Sequence, residues 1–125
     1  MNFAQRVFTI AGLLGLLAIP PLYFLADFLG RQVLPEITHL EFYYGFLGAT
    51  TAWQIVYLLI GQAPGRFRPM MPLAALAKGS FVAAVLMLFA IGRAPLVAAM
   101  AVGPDLVFVL LFVRAYVLTA GASPR

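Results

Sequence analysis

Cysteine is absent from this chain, which excludes disulfides, thiolate metal sites and cysteine nucleophiles. His39 is the only histidine, and Ser80 and Ser123 are the only serines. Neither a hydrolase triad nor the paired-histidine sequence of a metalloprotease fits this composition, and the chain has no glycine-rich phosphate-binding loop. We therefore expect no catalytic residue, no bound metal ion and no cofactor, and the composition favours a protein without enzymatic activity.

Charge is scarce as well. Charged residues make up 10% of the chain and hydrophobic residues 64%, with a mean hydropathy of +1.02, whereas an ordinary soluble domain is about a quarter charged. The net charge is +4, but the basic residues stand singly near the ends of apolar segments. Basic residues in such places orient a chain in a membrane. We expect a lipid bilayer as the partner and no nucleic acid.

Four apolar runs occupy nearly all of the 125 residues. They cover approximately residues 7–28, 42–61, 70–91 and 95–118. Each is about 20 residues long, which matches the hydrocarbon thickness of a bilayer when the run is helical. The sequence therefore predicts one all-α domain over residues 1–125, with four transmembrane helices in an antiparallel up-down bundle.

Proline and glycine mark the breaks. Pro20 and Pro21 lie inside the first run and predict a kink there, because each removes a backbone donor. Loop signals follow at 34–36, 61–65 and 92–95. The last of these connections is so short that the third and fourth helices should form an antiparallel hairpin.

The arginines are distributed unequally between the two predicted sides. One side carries Arg6, Arg66, Arg68, Arg114 and Arg125, and the other carries Arg31 and Arg93. By the positive-inside rule, both termini should face the cytoplasm, with the protein in the inner membrane. The first run is longer than the core of a signal peptide and lacks a good cleavage context, so we expect a retained helix.

Among the charged residues within the apolar runs, Lys78 and Asp105 lie farthest from the run ends. Each needs a partner, because an isolated charge in lipid is costly. Counted from the turn near Gly92, Lys78 and Asp105 differ in depth by only about 3 Å, so they can form an ion pair. Gln54 lies near the same depth, and Trp53 and Tyr57 can add the polar N–H and hydroxyl groups at the ends of their rings. Three interpretations stay open: the charges act separately, as a snorkelling lysine and a helix cap; they pair to lock the bundle; or they form the polar centre of a site for a ligand or a proton.

A second polar cluster is predicted on the extracytoplasmic side. It consists of Asp27, Arg31, Glu36, His39 and Glu41. A histidine with carboxylates can bind a metal ion, but with no second histidine a hydrated surface loop is favoured. Tyr43 and Tyr44, which follow, predict an aromatic belt at the interface.

Small residues recur four positions apart in three runs. The pairs are Gly45 with Ala49, Gly48 with Ala52, Ala75 with Gly79, Gly79 with Ala83, and Ala99 with Gly103. Such rows allow close approach of helices in membranes. We expect them to be used within the bundle, with a homodimer or a larger membrane complex as the alternative.

The segment 42–48, then Trp53 and Gln54, then 66–70 leading to Lys78, resembles a pattern in small uncharacterised bacterial four-helix integral membrane proteins, loosely DoxX-like. The likeness covers about residues 40–118. It implies a four-helix bundle and, for some members, a place in membrane redox assemblies. This chain has neither cysteine nor a histidine pair for haem, which argues against a redox role of its own.

Three functions remain in competition. The favoured one is a non-enzymatic membrane protein, either an accessory subunit or a bundle that binds a hydrophobic small ligand or lipid at its polar centre. A small proton-coupled transporter is the second, although the middle of the first run has no acidic residue. The third is a membrane isomerase of the emopamil-binding type, which would recruit Asp27, Glu41, His39, Trp53 and Asp105.

Overall fold

The computed structural model describes residues 2–32 and 37–121, and over these ranges the chain is helical with no strand. The α-helices are α1 (Phe3–Ala18), α2 (Ala26–Gln32), α3 (Leu40–Gln62), α4 (Met71–Ala90), α5 (Leu96–Ala101) and α6 (Gly103–Leu118). Two 3-10 turns, Pro20–Phe24 and Arg68–Met70, precede α2 and α4. The all-α prediction is confirmed. The predicted loop at 34–36, with Glu36, lies outside the described residues.

Three helical segments of the described chain are long and apolar enough to cross a membrane. They are Phe3–Phe24, Arg68–Ala90 and Leu96–Leu118, and they correspond to the first, third and fourth predicted runs. The second run corresponds to α3, which is 23 residues long. Thr50, Thr51 and Gln54 lower the mean hydropathy of this helix. Helices of membrane-spanning length and hydropathy are thus found in three of the four predicted runs, while the crossing of α3 remains a prediction.

The proline pair changes the type of helix. The α-helix α1 ends at Ala18, and Pro20 and Pro21 begin a 3-10 turn that ends at Phe24. Prolines cannot donate to the carbonyls one turn earlier, so regular α-helical pairing fails there. The first run is therefore not one α-helix over 7–28, but α1, a 3-10 turn and the short α2.

The fourth run is also divided. Its helix stops after Ala101 and restarts at Gly103 as α6, with Pro104 in the first turn. Pro104 fits a helix start because the first-turn N–H groups have no intrahelical partner. Before this break, Gly92 adopts φ +79 in the turn after α4, a conformation that glycine adopts without a steric penalty.

The helices pack as two antiparallel pairs. In the first pair, a Cβ placed on Gly12 of α1 would lie 2.7 Å from Leu58 Cγ of α3, and one placed on Gly61 would lie 2.5 Å from Thr9 Oγ1. In the second pair, α4 packs along α6. The pairs join where α1 contacts α6, whereas α3 and α4 approach each other at few points.

The buried core occupies one end of this assembly. Phe8 and Phe112 stack with ring centroids 4.3 Å apart, and Tyr57 lies 5.0 Å from Phe112. Around these rings lie Ala4, Val7, Ala11, Ile60, Met71, Ala74 and Ala115. These residues belong to the start of α1, the end of α3, the start of α4 and the end of α6. The opposite half has few buried side chains, and it contains a cavity.

Candidate functional site

A partly open cavity of about 700 Å³ adjoins the core. Its walls are built from α1, the first 3-10 turn, α2, α3, α4, α5 and α6, and most of the lining is apolar. The apolar lining includes Leu14, Leu22, Phe46, Phe81 and Val85. The cavity exists because α1 and α6 are in contact at the core while α3 and α4 diverge.

A small set of polar side chains enters the same cavity. All five residues of the predicted polar centre contribute to the lining: Trp53, Gln54, Tyr57, Lys78 and Asp105. Three helices, α3, α4 and α6, bring them together at the end of the cavity that meets the core. Their assembly is a feature of the structure, whereas a role in ligand binding remains a prediction.

Lys78 and Asp105 form an ion pair across α4 and α6. The distance between Lys78 Nζ and Asp105 Oδ1 is 2.7 Å, and the side chains are 13% and 34% exposed. The pairing follows from the hairpin, which brings the two positions to matching depth. Asp105 lies in the first turn of α6, where the helix dipole also favours a carboxylate. The interpretation in which the two charges act separately is therefore wrong.

Two aromatic rings complete the surroundings of the lysine. The ammonium nitrogen lies 5.5 Å from the ring centroid of Tyr57 and 5.8 Å from that of Phe108. Both distances are within the range for a cation–π interaction. Since Tyr57 is only 1% exposed and packs on Phe112, the core holds this part of the site in place.

Gln54 contributes an unusual polar group. Its side chain is buried, and Nε2 donates to the carbonyl of Thr50 at 2.9 Å. The other amide atom, Oε1, has no hydrogen-bond partner among the described residues. It lies against Gly15 of α1, where an added Cβ would be 1.8 Å away. A buried acceptor without a donor typically costs about 1–3 kcal/mol, and this oxygen is enclosed against α1 rather than exposed to the cavity.

Aromatic residues close the sides of the cavity. Phe46 of α3 and Phe81 of α4 stack with centroids 4.9 Å apart and connect two helices that otherwise approach each other at few points. Near the proline break, the Tyr43 hydroxyl donates to the carbonyl of Leu22. Tyr43 thus fixes the 3-10 turn to α3, a role that the predicted aromatic belt did not include.

The predicted extracytoplasmic cluster does not form a single site among the described residues. Arg31 Nε donates to the backbone carbonyl of Asp27 at 3.3 Å, and His39 Nδ1 lies 3.7 Å from Glu41 Oε1 with both side chains largely exposed. No ion pair joins these two local contacts in the described ranges. Nor does any group of three potential metal ligands occur there.

Arg68, one of the arginines that predict orientation, also joins the 3-10 turn before α4 to the end of α6. Its guanidinium donates to the carbonyl of Tyr116 at 2.8 and 3.2 Å and to Thr119 Oγ1 at 3.2 Å, and it lies 3.8 Å from the Tyr116 ring centroid. These contacts satisfy the carbonyl of Tyr116 near the end of α6, where a cation is favoured. The distant pairing left no signal in the sequence.

The start of α1 carries a capping motif that is visible in the sequence. Asn2 and Gln5 form a reciprocal capping box, with both hydrogen bonds at 2.9 Å. An N-cap residue followed three positions later by Glu or Gln is the recognisable pattern. The box fixes the first residue of the helix.

Comparison with protein-family profiles, curated protein sequences and solved structures finds no match to this chain. The DoxX-like resemblance therefore remains an expectation, and the function must be argued from the cavity itself.

Proposed function

We propose that this protein is a non-enzymatic membrane protein that binds a small hydrophobic ligand in the cavity beside Lys78 and Asp105. In this proposal α1, α3, α4 and the α5–α6 segment are four membrane-spanning elements of an antiparallel bundle. The bundle lies in the inner membrane with both termini in the cytoplasm. The observation that carries the proposal is the cavity of about 700 Å³ with apolar walls and one polar end.

The size and lining of the cavity support ligand binding. Pockets for small molecules are typically about 300–1,000 Å³, mostly apolar, with a few polar groups that orient the ligand. The ammonium of Lys78 and the partly exposed carboxylate of Asp105 are polar groups of this kind. A purely structural ion pair would not need an adjoining cavity of that volume.

The surface is consistent with a lipid environment on the outside of the helices. Large apolar side chains point outward along the three apolar segments, among them Leu17 at 74% exposure, Leu76 at 65% and Leu110 at 64%. In water such a surface would aggregate, whereas in a bilayer it faces acyl chains. Hydrophobic ligands then reach the protein from the same phase.

The two alternatives receive less support from the geometry. Of the residues that an isomerase was expected to recruit, only Trp53 and Asp105 line the cavity. Asp27, His39 and Glu41 are not part of its lining. A transporter of the small exporter type would need an acidic residue in the middle of α1, and that position is apolar.

Trp53 offers a direct test, because it is the only tryptophan of the chain and lines the cavity. We expect a bromine-labelled long-chain alcohol, added to the protein in nanodiscs, to quench Trp53 fluorescence in a saturable manner. The unlabelled alcohol should reverse the quenching by competition.

The matched control moves the reporter to the outside of the same helix. Ile55 is 51% exposed and is not part of the cavity lining, so Trp53→Phe combined with Ile55→Trp places the indole in the surrounding lipid. In that variant, quenching should rise with the probe's concentration in lipid and should not be competed. Equal behaviour of the two proteins would refute a binding cavity.

A further inference from the structure

We infer that the cavity selects amphiphiles with an uncharged hydrogen-bonding head, such as an alcohol, over amphiphiles with a charged head. The inference rests on the proposed function and specifies its ligand class. It follows from the charge balance and the free hydrogen-bonding groups at the polar end of the cavity.

The charges at the polar end cancel. Lys78 and Asp105 are the charged residues of the cavity lining, and at 2.7 Å they neutralise each other. An anionic head placed there would meet the carboxylate of Asp105, and a cationic head would meet the ammonium of Lys78. An anionic head that paired with Lys78 would leave Asp105 as a partly buried charge without a partner, and a cationic head that paired with Asp105 would leave Lys78 in the same state. Either outcome is strongly unfavourable.

Hydrogen-bonding capacity remains after the pair has formed. A lysine ammonium has three donors, and Asp105 Oδ1 accepts one of them. The second carboxylate oxygen of Asp105 remains as an acceptor, on a side chain that is 34% exposed. A hydroxyl group both donates and accepts, so it can satisfy an acceptor and a lysine donor at once.

The position of the apolar lining indicates where the chain of the ligand lies. The polar end adjoins the core through Tyr57, whereas Leu22, Leu29, Phe46 and Val85 line the part of the cavity farther from it. An alcohol bound with its hydroxyl near Lys78 therefore extends its chain away from the core, toward the 3-10 turn and α2.

The experiment uses Trp53 quenching with three brominated probes that share one alkyl chain. Their heads are a hydroxyl, a sulfonate and a trimethylammonium group, and the last two keep their charge at any working pH. For the unmodified protein we expect half-maximal quenching by the alcohol at a concentration in lipid at least ten-fold lower than for either charged probe. Tightest binding of a charged probe would overturn the inference.

Single substitutions provide a second, directional readout. Asp105→Asn leaves the ammonium without its counter-ion, so binding of the sulfonate should tighten while that of the trimethylammonium probe stays weak. Lys78→Met should reverse this order. The double variant Lys78→Met with Asp105→Leu should bind both charged probes weakly again. If a single variant changed the affinity for the sulfonate and for the trimethylammonium probe in the same direction, this would contradict the inference.

The outcomes separate this inference from the proposed function. If a single variant does not fold, the ranking of the three probes on the unmodified protein still decides the head-group preference. Saturable quenching with the wrong ranking overturns the head-group inference and leaves the binding cavity in place. No saturable quenching by any of the three probes overturns both.

Discussion

Replacing Gly12 with alanine tests a close contact between the backbones of α1 and α3. The added Cβ would lie 2.7 Å from Leu58 Cγ and 2.8 Å from the backbone carbonyl oxygen of Gln54. Ordinary van der Waals contact begins near 3.4 Å, so the helices must separate by about 0.6 Å or distort locally. The carbonyl belongs to the backbone of α3 and cannot rotate away as a side chain can.

Two opposing terms set the magnitude. Overpacking of a well-packed contact costs about 1–3 kcal/mol, while alanine in place of glycine favours the helix by about 0.8–1.0 kcal/mol. Because a backbone atom is involved, the steric term should prevail. We expect Gly12→Ala to lower the free energy of unfolding by up to about 2 kcal/mol.

Gly45→Ala is the matched control. Gly45 lies in α3 with no atom within 4 Å of an added Cβ, so only the helix-propensity term applies and the protein should gain up to about 1 kcal/mol. Unfolding in mixed micelles with rising dodecyl sulfate, followed by far-ultraviolet circular dichroism, measures both changes. Stabilisation by Gly12→Ala equal to that by Gly45→Ala would refute the close approach of α1 and α3.

Three further experiments test other parts of the structure. His39 precedes α3 and Gln62 is its last residue, so the two positions should lie on opposite sides of the membrane. A membrane-impermeant maleimide should label His39→Cys in intact cells but Gln62→Cys only after permeabilisation. Labelling of both from outside would refute the crossing of α3. Arg68→Met should lower the free energy of unfolding by about 1.5–3 kcal/mol through loss of charged hydrogen bonds, and Arg68→Lys should recover less than half of that loss because lysine has no guanidinium fork. Tyr43→Phe should cost about 0.5–1.5 kcal/mol in the same unfolding assay, and an unchanged stability would show that its hydroxyl does not hold the 3-10 turn.

Much of the fold could be predicted because the length of an apolar run and the position of proline are local properties. The four runs correspond to the long helical segments, and the short connection near Gly92 correctly predicts the hairpin of α4 with α5 and α6. The same hairpin brings Lys78 and Asp105 to the same depth, so their ion pair can be predicted from the sequence.

The remaining features depend on the rotation and separation of helices, which the runs do not encode. Apolar residues surround each helix, so no apolar face indicates which side meets a neighbour. The sequence therefore does not predict the contact of Arg68 with Tyr116 or the stacking of Phe46 on Phe81. Pro104 is a sequence signal for the helix break before Gly103, although the apolar run continues across the break.

The central claim is that the cavity holds a hydrophobic molecule, and native mass spectrometry of the purified protein tests it most directly. Ala77→Phe with Ala98→Phe places two rings in the cavity lining, whereas Ala49→Phe with Ala52→Phe places the same two rings on the exposed side of α3. The unmodified protein and the outer variant should each retain one small amphiphile per chain, and the cavity variant should lose it. Equal retention by all three proteins, or no bound mass on the unmodified one, would contradict the account.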